Sequence, residues 1–184
     1  MRKSHLPPDI LESLGSLDET QLRLLACACA EHVLPIFEAQ APDDSRPRRA
    51  IETARRFAAG AASLEALHAA RSDAEGAAYD VAFRTPEKGA SPEQEAAAPA
   101  AACAEGCCIV SARQAAEGTL ETAIEVVETV AVGVEDASVL WGRGSAGFAL
   151  LDAATASALR AAHDALWAWQ RSAIERLQTA RERS

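Results

Sequence analysis

Aromatic side chains are scarce in this chain: three tryptophans, four phenylalanines and one tyrosine stand among 184 residues. Set against 44 alanines, that scarcity favours one helical domain in which closely packed alanine layers replace large rings. Cations are also in short supply, 18 Lys and Arg against 27 Asp and Glu, for a net charge of -9 and a pI near 5.0. A protein that neutralises phosphates needs clustered Lys and Arg, so general binding to nucleic acid or to anionic membranes is excluded. Long apolar runs are missing as well. The most continuous one, Ala96 to Ala104, is broken by Pro99 and falls far short of the ~20 residues that span a bilayer. The N-terminal stretch MRKSHLPPDILESLG has basic residues but no apolar segment, so no signal peptide is expected. Five cysteines, an odd number, suit free thiols in a reducing compartment, and the expected address is cytoplasmic.

What is present reads as an all-α, single-domain bundle of five or six helices with an alanine-rich core. A short helical turn fits Pro8 to Leu14. Asp18 followed by Gln21 forms a capping-box pattern, and Leu22, Leu25, Ala26, Cys29, Val33, Ile36 and Phe37 then recur at spacings of three and four. Pro35 is expected to kink that helix. The segment APDDSRP is a turn by its chemistry and leads into a helix from Arg48 to Ala59, after which Ser63 caps a helix to about Arg84. Residues 85–92 are linker-like, and Ser91, Pro92 and Gln94 spell a new helix start. The alanine-rich stretch from Glu93 to about Val132 is helical in pattern, with an interruption expected at Pro99, at Glu105-Gly106 or at Gly118. Over residues 124–134 the β-branched run EVVETVAVGV leaves strand open beside helix, with helix favoured. A glycine-containing loop is expected at 133–148 and a last long helix from Asp152 to about Arg181. The larger core anchors are expected at Phe37, Phe57, Leu67, Phe83, Leu166 and Trp169.

Few patterns carry chemistry. Gly142-Arg143-Gly144-Ser145-Ala146-Gly147 matches G-x-G-x-x-G, but that motif binds a dinucleotide only between a strand and a helix of a parallel sheet, and no such alternation is present. His32, His68 and His163 fall on three different helices, where a bundle could converge three imidazoles on a divalent ion. This arrangement loosely resembles the DinB-like helical metalloproteins and implies the alternative of a metal-dependent bundle enzyme, although neither HExxH nor CxxC supports it. No metal or other cofactor is otherwise expected.

Charge is the more informative pattern. From Glu87 to Asp136 there are ten acidic and two basic residues, and Glu117, Glu121, Glu125 and Glu128 fall within an arc of about 80° on a helix. Like charges one turn apart destabilise a helix by about 0.2 to 0.5 kcal/mol per pair. Two partners for the stripe are open: the arginine-rich segment with Arg46, Arg48, Arg49, Arg55 and Arg56, or an external basic protein. On the last helix Trp167 falls off the line of Leu159, Leu166 and Trp169, and is either packed on a second layer or exposed as an interface anchor.

The run LRLLACACAEHVLPIFEAQAPDDSRPRRAIETARRFAAG, with SLEALHAARSDAEGAAYDVAF after it, resembles the immunity-five-like proteins of bacterial polymorphic toxin systems. Asp43, Asp44, Arg46, Pro47, Arg48 and Arg49 form its most specific part. The resemblance implies binding and no catalytic residue. It points to an inhibitor that neutralises a cognate toxin, a basic nuclease by charge, through Glu117, Glu121, Glu125 and Glu128, with Trp141 or Trp167 as apolar anchors. A helical scaffold or adaptor is the further alternative.

Overall fold

The computed structural model describes residues 6–86, 89–143 and 153–182; over 133–143 and 181–182 it describes the backbone alone. Among the described residues there are seven helices and no strand: α1 (Pro8–Leu14), α2 (Glu19–Gln40), α3 (Arg46–Ala58), α4 (Leu64–Arg84), α5 (Pro92–Cys107), α6 (Ala112–Arg143) and α7 (Ala153–Glu182). The helix starts follow local chemistry. Asp18 accepts from the Gln21 amide at 2.8 Å while the Gln21 side chain accepts from the Asp18 amide at 3.0 Å, closing the box that opens α2. Ser91 and Gln94 repeat the arrangement at α5, and the Ser63 hydroxyl accepts from the Ala66 amide at 3.1 Å at α4.

The centre of the molecule is α5, which packs against α2, α3, α4 and α6. Its buried positions are Ala96, Ala97, Ala100, Ala101, Cys103, Ala104 and Cys107, none larger than a thiol, so four neighbours can close on one rod. At Gly106 a Cβ would lie 3.0 Å from the Thr119 hydroxyl of α6, so a side chain there would require that hydroxyl to give way. The large side chains come from the surrounding helices: Leu25, Leu34 and Phe37 from α2, Ile51 from α3, Leu67 from α4, Leu120 and Val126 from α6, Leu159 from α7. All five cysteines are buried and free. Burial pushes the Cys29 and Cys103 thiols up, which suits small packing groups rather than nucleophiles.

Three expectations are corrected, and the helix favoured over 124–134 is found. The described helices number seven because the alanine-rich stretch divides at 108–111, while α5 runs through Pro99 and Gly106 and α6 runs through Gly118. The break has a tertiary cause. Arg23 of α2, only 3% exposed, donates to the carbonyls of Cys107 (2.8 Å), Val110 (2.6 Å) and Ile109, collecting the orphan acceptors at the end of α5 and in the turn beyond. Residues 124–134 are helix, with Val126 buried. The first part of the loop expected at 133–148 continues α6 to Arg143, so Gly142 and Arg143 of the glycine pattern are helical; residues 144–152 lie outside the described residues. Phe83, expected in the core, is 95% exposed, whereas Phe37, Leu67 and Leu166 are buried and Phe57 and Trp169 half-buried.

Candidate partner-binding site

The acidic stripe does not form one open patch. Between Ala115 and Val132 every residue of α6 is buried or half-buried, because α2, α5 and α7 cover that helix. Glu117 pairs with Arg113 one turn before it, and Glu121 and Glu125 are half-buried. Glu128 is buried and meets His163 Nε2 of α7 at 2.9 Å. Desolvation, helped by the nearby Glu128, raises the Glu125 carboxyl above its ordinary value. Of the two partners left open for the stripe, the arginine-rich helix turns Arg48 and Arg55 to glutamates of α2 instead.

The arginines of α3 pair elsewhere. Arg48 grips Glu38 of α2 with two bonds of 2.8 Å, and Arg55 does the same to Glu31 at 3.1 and 2.5 Å. Arg49 donates to the Ser45 hydroxyl at 2.9 Å, and Pro47 is buried at the helix start. Arg46 is the hinge pin of the corner. Its guanidinium holds Asp44 through Nε at 3.0 Å and Nη2 at 2.6 Å, and Nη2 also reaches Asp80 of α4 at 2.5 Å. The Arg46 hydrogen bonds hold the Asp44 carboxyl below its usual range. Gly76 makes this possible: a Cβ there would sit 3.2 Å from Arg46 Nη1, so the bare backbone of α4 leaves the guanidinium its berth. Glycine inside a helix costs roughly 0.5–1 kcal/mol relative to alanine. The sequence carried that cost as a signal at Gly76 that pattern reading passed over.

The corner and the end of α4 enclose an open groove of about 640 Å³, lined by Pro42, Asp43, Asp44, Arg46, Asp80, Phe83 and Arg84 among others. Above it stand two aromatic rings one helical turn apart on α4, Tyr79 at 66% and Phe83 at 95% exposure. Burying such a side chain is worth roughly 1.5–3 kcal/mol, so two on one face are a reserve of binding energy. Around them the exposed carboxylates are Asp43, Asp73, Glu75 and Asp80. Counting Asp44, that makes five acids against Arg46 and Arg84.

The three histidines are not brought together. His32 stacks on Trp169 (centroids 4.2 Å, planes 22° apart), His68 lies on the exposed face of α4, and His163 is buried against Glu128. Among the described residues no three His, Cys, Asp or Glu side chains are placed to share a metal ion. Trp167 packs against the core, tilted on His163 with centroids 4.9 Å apart, and is not an exposed anchor. The Trp141 side chain lies outside the described residues. No described helix is long and apolar enough to cross a membrane.

A family model described as Imm-5 like putative immunity protein matches residues 12–110, more than half of the chain. No curated protein and no solved structure matches it. The matched span contains the whole Asp43–Arg49 corner, the groove and the Tyr79–Phe83 face, and ends before the glutamates of α6 begin. On that match the chain belongs to the Imm-5 like family of immunity proteins.

Proposed function

We propose that this chain neutralises a cognate bacterial toxin by binding it stoichiometrically in the cytoplasm of the cell that makes both. Membership of the immunity family carries this reading. The net charge of -9 supports a basic toxin, and a nuclease, whose substrate is polyanionic, is the toxin class whose surface fits best. Five reduced, buried thiols suit a reducing compartment. No covalent step is required of the protein, since an inhibitor acts by occupying a surface.

Co-expression tests this directly. A toxin domain found in the same gene neighbourhood should stop growth when induced alone, and growth should return when this chain is produced with it. The two should then co-elute at one-to-one stoichiometry. A toxin that still kills, with no complex recovered, rules the function out.

A further inference from the structure

Resting on the immunity reading, we infer that the toxin docks on the outer face of α4, with a Lys- or Arg-bearing element laid across Tyr79 and Phe83 and a basic side chain reaching into the groove between Asp43 and Asp80.

Three observations converge on this face. Tyr79 and Phe83 are large hydrophobic side chains left open to solvent one turn apart, at 66% and 95% exposure, on a helix whose other side is buried in the core. The groove beside them is held open by the Arg46 clamp on Asp44 and Asp80, so its walls are set before any partner arrives. Among the described residues the rim is acidic, because Asp43, Asp73 and Glu75 outnumber the exposed Arg84, whose Nε is already donated to the Asp80 carbonyl. Aromatic faces framed by carboxylates suit a guanidinium or ammonium group, which gains from ring and acid together. A second copy of this chain fits poorly, since the same acids would face one another across a two-fold axis.

The test uses this chain and a catalytically inactivated form of the toxin domain that it rescues in the co-expression experiment. Tyr79→Ser with Phe83→Ser should raise Kd at least 100-fold. Asp73→Lys with Glu75→Lys should raise it at least tenfold, mainly by slowing association. Glu175→Lys, the same kind of charge reversal on exposed α7, should change it less than twofold. All four positions of the first two variants are exposed, so each variant should melt within a degree or two of the parent, and hydrogen exchange in the complex should slow over 41–46 and 73–84. Tight binding by the parent and equally tight binding by both α4 variants, or protection confined to other helices, overturns the docking face and leaves the immunity function standing. A parent chain that binds no toxin at all fails the functional reading first. Concentration-dependent dimers that vanish in the Tyr79→Ser, Phe83→Ser variant would assign the face to self-association and overturn the inference.

Discussion

Arg23 shows how much of this fold hangs on single polar side chains. Its guanidinium is buried, lies 5.5 Å from the centre of the Phe57 ring, and serves carbonyls more than eighty residues away in sequence. Arg23→Met keeps the length and apolar stem but strands three acceptors at the end of α5. Each buried acceptor left without a donor costs about 1–3 kcal/mol, so a loss of about 3 kcal/mol or more is expected, read as a lower urea midpoint with unchanged slope. A midpoint equal to that of the parent would remove the capping role. Glu125 makes a prediction of opposite sign. Its carboxyl is raised by burial, so the folded chain holds that proton more tightly than the unfolded one, whose carboxyl has an ordinary value near 4.5. Stability therefore falls as pH rises through the window between the unfolded and the raised folded value. Glu125→Gln should melt higher than the parent at pH 7, and the gap should close as pH drops below that window; a gap that persists at pH 4 would mean that ionisation is not its cause. Neither residue's buried role was legible in the sequence. Arg23 sits beside the apolar heptad-like positions of α2 as an ordinary charge, and periodicity says nothing about acceptors in another helix.

Helices were legible where their ends are written locally and obscure where they are written by neighbours. Asp18, Ser63 and Ser91 announce three starts correctly because a cap and its amide lie within three residues. The break at 108–111 and the continuation of α6 through Gly133 are tertiary outcomes, the first made by Arg23 and the second by a long helix docked on α2, α5 and α7. Phe83 was misplaced for a related reason: helical spacing assigns a residue to a face, and only the packing of α4 on α3 and α5 decides which face is covered. The seam of α7 is held by several polar contacts. It is tied by the His32–Trp169 stack, by Gln21 donating to the Leu177 carbonyl at 2.8 Å, by Arg171 to Asp9 at 2.6 Å and by Glu128 with His163. Within it Gln170 is fully buried and neither amide atom finds a partner among the described residues. Removing both polar atoms at nearly constant volume relieves that cost, so Gln170→Met should raise stability by about 1 kcal/mol or more. A lower melting temperature for Gln170→Met would show that the amide is satisfied within the seam and is needed there.

Across the whole molecule, the linear charge pattern and the exposed charge do not coincide. The excess acid counted between Glu87 and Asp136 suggested a stripe on α6, but Glu125 is half-buried and Glu128 is buried in the α7 seam, while exposed carboxylates and exposed aromatic rings share α4. A linear count cannot see this, because it weighs Glu128, paired with a buried imidazole, equally with Asp73, which faces water. What the count does preserve is the far field. At low ionic strength a chain of net charge -9 attracts a basic partner from beyond its contact distance, and steering of this kind raises association rates by roughly 10- to 1,000-fold. Screening shortens that reach, from a Debye length of about 30 Å at 0.01 M salt to about 3 Å at 1 M. Apolar contacts of the kind inferred at Tyr79 and Phe83 would not be screened. Association with the toxin should therefore slow at least tenfold between about 20 mM and 500 mM salt, while dissociation changes by less than about threefold. Tyr79→Ser with Phe83→Ser should invert the pattern, speeding dissociation and leaving the salt slope of association intact. If association proves indifferent to salt, the partner's docking surface is not basic, and the acids around α4 serve only to keep that face in water.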